Sequence, residues 1–319
     1  MREVMVDFTV AIPCYNGEKR LPQLLERLLN QVEIAGFTWE VLVVDNNSTD
    51  DTFKVIQEYQ QNWPGTSSLN YCFEAEQGTA FARIRAVQEA HSPLIGFLDD
   101  DNLPAPNWVA QAYQFAQEHP QAGAYGSQIQ GIYEENPPEN FEKIAGFFGI
   151  TERGEQPFMY DPLLKLLPPA AGLVVRKEAW LGGVPGRPCL TGPVGNQRLA
   201  SEDIEAVLYI QKSGWEIWYN PAMKTEHQIS ASRLTPEYLI NLAKNTGLVR
   251  YHIRRLRWEK WQEPLGLILG LGNDLRKLIN YWLEHREVLT EDVVAQCEFT
   301  FLKWSLVSPF YFWVKALKL

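Results

Sequence analysis

Three carboxylates in a row, Asp99-Asp100-Asp101, follow the apolar pair Phe97-Leu98. A solvated turn rarely needs three, and their mutual repulsion calls for a cation. Oxygen-only ligands suit Mg²⁺ or Mn²⁺ shared with substrate phosphates. Asp45 ends the aliphatic run Val41-Leu42-Val43-Val44. It reads either as a turn or cap residue or as an acceptor for a nucleoside base or ribose. Glu202-Asp203 opens the helical pattern Ile204 to Lys212. Alone, the pair reads as first-turn carboxylates favoured by the helix dipole, with a general base as the alternative. His227 follows the strand-like Glu216-Ile217-Trp218-Tyr219 and on its own reads as structural. Gly78 before Thr79 reads as a turn into a helix.

The elements that must position these residues alternate between strand and helix. Thr9-Val10-Ala11-Ile12 is a β-favouring run that Pro13 is expected to stop. Leu21, Leu24, Leu25, Leu28 and Leu29 keep helical spacing. Val41 to Val44 is a buried strand, Thr52 to Tyr59 a helix, and Tyr71-Cys72-Phe73 a third strand. Thr79 to Ala90 is a helix and Leu94 to Leu98 a fourth strand. Strands without alternation, separated by helices, imply a parallel sheet covered on both faces. Such sheets bind ligands at the carboxyl ends of their strands. Pro13-Cys14-Tyr15-Asn16, Asp45-Asn46-Asn47-Ser48 and Asp99-Asp100-Asp101 all fall there.

Taken in order, these segments resemble family-2 glycosyltransferases. The match runs through Thr9 to Asn16, Val43 to Thr52, Gln77-Gly78, Ala82-Arg83 and Phe97 to Asp101. It continues with Ala171 to Lys177, Gly182-Gly183, Glu202-Asp203, Gly214, Pro221 and His227, covering about residues 8–228. The whole chain is most similar to glycosyltransferases assigned to hormogonium polysaccharide biosynthesis. The resemblance implies a GT-A fold: α/β, with a Rossmann-like, mainly parallel sheet and helices on both faces. It implies an inverting transfer from a nucleotide-diphosphate sugar, by default a UDP-sugar, to a glycan or lipid-linked glycan hydroxyl. By position it puts Pro13, Tyr15, Asn16, Asp45, Asn47, Gly78, Arg83, Asp99 and Asp100 on the donor side. Asp101, Asp99 and His227 match the metal site, with Asp101 as the direct ligand. Gly172 and Glu202 fall on the acceptor side, and Asp203 matches the catalytic base. Ile84, Val184-Pro185, Ile210 and the Gly/Pro-rich stretch Pro185 to Asn196 depart from the family pattern.

One base and one metal suffice for that chemistry. A divalent ion neutralises the leaving diphosphate, so no protonating acid is required, and one carboxylate takes the acceptor proton. A glycoside hydrolase needs two carboxylates flanking the bond, which neighbours on one helix turn cannot supply. A nucleotidyltransferase would show a Gly-rich basic loop after the first strand, and a dinucleotide oxidoreductase GxGxxG; neither is present. A non-catalytic GT-A-like scaffold or glycan-binding subunit is the remaining alternative.

The 319 residues carry a net charge of −10, which argues against a nucleic-acid partner. Residues 235–319 hold 12 basic and 9 acidic side chains, leaving 17 and 30 to the rest. That shift, with five of the 11 tryptophans beyond it, divides the chain into a catalytic region 1–234 and a helical aromatic and basic region 235–319. The four scattered cysteines read as reduced thiols, and Met1-Arg2-Glu3-Val4 does not open a signal peptide, so a cytoplasmic protein is expected. No apolar run is long enough to span a bilayer. Arg250 to Lys260 and Phe299 to Leu319 mix cations with aromatics. They are expected either to lie on an anionic membrane surface or to pack on the core or a second copy.

Overall fold

In the computed structural model the described residues are 6–65, 67–164, 166–192 and 199–316. Met1 to Val4, Pro193 to Asn196 of the Gly/Pro-rich stretch and the last three residues of the tail lie outside them. Two compact units form. The first holds the chain to Ile132, Gly149–Gly192 and Glu202–Gln228; the second holds Tyr133–Phe148 and the chain from Ile229.

The first unit begins with β1 (Phe8–Cys14), α1 (Leu21–Leu29), β2 (Trp39–Asp45), α2 (Thr52–Asn62), β3 (Ser68–Phe73), α3 (Thr79–Glu89) and β4 (Leu94–Phe97). β1 and β2 are buried at every position, as strands covered on both faces must be. α1 turns Leu21, Leu24, Leu25 and Leu28 inward, each burial contributing about 1.5–3 kcal/mol. β5 (Asn102–Pro104), α4 (Trp108–Glu118), β6 (Ala122–Tyr133), β7 (Phe158–Met159), β8 (Leu173–Arg176), α5 (Lys177–Gly183), α6 (Glu202–Lys212) and β9 (Glu216–Ile229) follow.

Among the described residues the sheet has nine strands in the order β3-β2-β1-β4-β8-β6-β9-β5, with β7 beside β9. The half read from the sequence is parallel: β1 pairs with β2 and β4, and β2 with β3. The other half is antiparallel at β4–β8, β6–β8 and β5–β9. Two local expectations change. Pro13 does not stop β1, which runs to Cys14; the pairing with β4 ends at Ala11↔Phe97, before the residue that lacks an N–H. His227 does not follow its strand but lies within β9, paired with Asn102.

The second unit is helical: α7 (Pro236–Arg255), α8 (Glu263–His285) and α9 (Val293–Ala316). Thr235 caps α7 by accepting from Tyr238 N–H, and Pro236 opens its first turn. α7 and α9 meet at Gly247, where a Cβ would stand 2.7 Å from the Phe301 carbonyl. The basic segment Arg250 to Lys260 turns largely inward. Tyr251 is buried, Arg250 lies over the Phe301 ring, and Arg254 makes two bonds of 2.5 and 2.7 Å to buried Asp274 of α8.

Candidate active site

β1 and β2 end side by side, with Cys14 in register with Asp45. Pro13 is buried in β1, and Tyr15 beyond it is half-exposed. Asn16, in the left-handed region at φ 50°, donates its N–H to Ser48 Oγ (2.9 Å) and accepts from Thr49 N–H (2.8 Å). Asn47 is left-handed too, at φ 64°. Asp45 is buried; its carboxylate accepts from Ser48 N–H at 2.9 Å and the Tyr71 hydroxyl at 3.2 Å. The turn-residue reading of Asp45 is therefore met, with a ring hydroxyl added. Next to it, buried Asn46 donates to the Glu76 carbonyl and accepts from Gly78 N–H. Gly78 sits at φ 139°, and a Cβ there would stand 2.6 Å from the Thr191 carbonyl, so only glycine fits.

The three consecutive carboxylates splay apart. Asp99 Oδ1 accepts from Arg83 at 3.0 Å. Asp100 takes both ends of the Arg20 guanidinium at 2.8 Å, and the Cys14 thiol donates to it. Asp101 stands 3.3 Å from His227 Nε2 and accepts from Asn102 Nδ2. The β5–β9 register brings that pair together, since Asn102 lies opposite His227. The repulsion that called for a cation is thus relieved largely by two arginines of the chain itself. Burial still pushes Asp100 up to about 6 against the pull of Arg20, and it pushes the Cys14 thiol well above its ordinary value.

Arg83, on α3, is 3% exposed and also donates to Glu202 Oε1 at 2.8 Å. One guanidinium therefore ties Asp99 to the start of α6, 119 residues from Arg83 in the chain. Glu202 is buried, and its Oε2, like Arg83 Nε, has no hydrogen-bond partner among the described residues. Burial, with Asp203 and Asp99 adding to it and Arg83 opposing, pushes Glu202 up to about 7. Asp203 Oδ2 accepts from Ala170 N–H at 2.7 Å and Oδ1 from Ile204 N–H at 2.8 Å. Gly172, at φ 67°, immediately precedes β8; a Cβ would meet Ser127 Oγ at 2.2 Å, and its carbonyl accepts from that hydroxyl. A separate cleft of about 350 Å³ at Gln111, His119, Asn220 and Lys224 contains none of these residues.

Residues 9–171, just over half of the chain, match the family model for glycosyl transferase family 2. The chain belongs to that family. The later motifs that carry the resemblance, from Gly182-Gly183 through Glu202-Asp203 to His227, lie beyond the matched segment. A dolichyl-phosphate beta-glucosyltransferase of Trichomonas vaginalis is 34% identical over 80 residues, 24% of this chain and 25% of that one. Matches to the first curated relatives cover 25%, 36% and 24% of their lengths. A Pyrobaculum calidifontis mannosyltransferase structure with GDP-Man and Mn²⁺ aligns at TM-score 0.60 and 17% identity, covering 97% of this chain and 90% of that one. TarS 1–349 of Staphylococcus aureus with UDP-GlcNAc aligns at 0.52 and 16%, covering 94% and 91%. These two likenesses establish the GT-A fold.

A divalent ion fits this family-2 site in one way. No group of three or more His, Cys, Asp or Glu stands ready to hold a metal among the described residues. Asp101 and His227 offer one carboxylate and one imidazole. That suits a hard ion that takes most of its ligands from phosphate and water. Asp99, expected as a second carboxylate ligand, has Oδ1 on Arg83 at 3.0 Å.

Sequence reading missed Arg20, Asn46 and Glu205. Arg20 precedes α1, where the helix dipole disfavours a cation, and that oddity was its signal. Asn46 is a buried amide just past a strand. Glu205, 1% exposed, accepts from Cys189 and Leu190 N–H and anchors the loop beside Gly78. It is the third acid of one helical turn, more than a dipole requires.

Proposed function

We propose that the chain transfers a sugar, with inversion, from a nucleotide-diphosphate donor to a hydroxyl of a glycan or lipid-linked glycan during polysaccharide biosynthesis in the cytoplasm. The observation that carries the reading is the Arg83 bridge, which joins the acidic end of β4 to the acidic start of α6. UDP is the favoured nucleotide, supported by the UDP-GlcNAc held by TarS, although the mannosyltransferase neighbour holds GDP-Man. A lipid-borne acceptor is supported by the dolichyl-phosphate relative.

In this reading Asp203 accepts the proton of the attacking hydroxyl while backbone N–H groups fix its orientation. The face opposite the diphosphate is left to the acceptor, and the anomeric centre inverts. Asp101 and His227 would hold Mg²⁺ or Mn²⁺, which neutralises charge on the leaving diphosphate. Tyr15, Asn16, Asp45 and Asn47 line the nucleoside side. Arg83, on the donor side, keeps Asp99 and Glu202 in place. Residues 1–234 perform the chemistry and 235–319 serve attachment. The test is hydrolysis and transfer of UDP- and GDP-sugars with Mn²⁺ and with excess EDTA. Metal-dependent turnover is expected, and full turnover in EDTA rejects the metal.

A second reading rests on Asp203 itself. Both of its oxygens accept backbone N–H groups, as a purely structural first-turn carboxylate would. A chain that binds the donor with Mn²⁺ but neither hydrolyses nor transfers it is the non-catalytic scaffold.

A further inference from the structure

We propose that the outer face of α8 is a membrane-docking surface that lies on a lipid bilayer. The proposal concerns the helical unit alone and goes beyond the transfer reaction. Leu265, Ile268, Leu269, Ile279 and Trp282 recur on α8 at helical steps, from 45% to 68% exposed. Trp261, in the turn before the helix, continues the row and is 76% exposed. At 1.5 Å per residue the row from Trp261 to Trp282 is about 30 Å long. A soluble helix turns such a stripe inward. Here the inward face carries other contacts: Tyr281 donates to Glu298 of α9, and buried Asp274 holds Arg254 of α7. The sequence hid this surface, because Gly266 and Gly270 interrupt the apolar run and drew the reading to the segments on either side.

Three observations choose a bilayer over a second copy of the chain. Tryptophan stands near both ends of the stripe, Trp261 at its start and Trp282 beside exposed Leu283 at its close, and its amphipathic ring favours the boundary between headgroup and acyl chain. Exposed Lys260, Lys277 and Arg286 flank it and exposed Arg276 falls within it, with stems long enough to reach lipid phosphates, and Arg286 lies over the Trp282 ring. The exposed apolar surface also exceeds one helix seam, since Phe310 and Trp313 of α9 form another half-exposed patch. No described helix is long and apolar enough to cross a membrane, which leaves lying on it. Exposed Glu284 and Glu287 offset part of the positive charge, so apolar insertion sets most of the affinity.

The test is co-sedimentation of the full chain with phosphatidylcholine vesicles, with and without phosphatidylglycerol, beside sedimentation velocity without lipid. Binding to both vesicle types is expected, with a gain of less than about tenfold from the anionic lipid. The double variant Ile268→Ser/Leu269→Ser changes only exposed side chains and should bind at least about tenfold more weakly at an unchanged melting temperature. Tryptophan emission should shift to the blue on vesicles, and less so in Trp261→Ser, a change outside α8 that serves if the double variant misfolds. Absence of binding to either vesicle overturns the proposal, as does binding that neither variant weakens. A lipid-free dimer that the double variant dissolves overturns it in favour of a second copy.

Discussion

At the scale of single residues, Asp203 and Glu202 are neighbours with different surroundings. Asp203→Asn keeps the shape and one oxygen, so transfer should fall about 10²–10⁴-fold while donor affinity changes little. Single-turnover rates beside calorimetric donor binding check this, and near-normal transfer removes Asp203 from the mechanism. Glu202 is raised to about 7 from 4.5 by burial, so the folded state holds its proton longer than the unfolded one. The unfolded state then binds fewer protons between these values, and this group lowers stability as pH rises from about 4.5 to 7. Glu202→Gln has no proton to lose. Its stability relative to the parent should improve by roughly 2–3 kcal/mol across that window, measured by denaturant unfolding at pH 5 and pH 8. A pH-independent difference would show that Glu202 is ionised throughout. The acidic motifs were legible because they stand together in the chain. Their partners were not, since Arg20 and Arg83 reach Asp100 and Glu202 across 80 and 119 residues.

At the scale of elements, the start of α3 depends on one backbone conformation. Gly78→Ala forces a side chain to φ 139° and against the Thr191 carbonyl. It should cost about 1–3 kcal/mol of stability and weaken donor binding as the loop beside it moves. Thermal unfolding and donor titration follow both, and an unchanged midpoint would mean that the loop yields freely. The parallel half of the sheet was readable from buried, unalternating runs such as Val41 to Val44. The antiparallel half was not, because β5 and β7 are too short to show a period and the four-residue β8 follows a left-handed glycine. The C-terminal aromatics were visible as composition, but composition does not say which face of a helix meets water. Tyr251 is buried where Trp261 is exposed.

At the scale of the whole molecule, the two arginines that balance Asp99 and Asp100 should make the fold independent of metal. EDTA is expected to leave the melting temperature unchanged. Mn²⁺ with a UDP-sugar at a hundred times its Kd should stabilise by about 2.7 kcal/mol, and Mn²⁺ alone by far less. Unfolding on chelation would overturn that balance. The four cysteines have one more consequence. None is bridged; burial pushes the Cys14 thiol well up, Cys72 up to about 11 and Cys297 up to about 12, while Cys189 alone is exposed. Only a thiolate alkylates, so a brief maleimide pulse should mark a single position. Because Cys189 N–H rests on Glu205 in the loop beside Gly78, the chain carries its own reporter. Peptide mass spectrometry should find the label there, and its rate of attachment should fall when donor and metal are added. Labelling spread over several cysteines would mean that the sheet and helices open more readily than their burial implies.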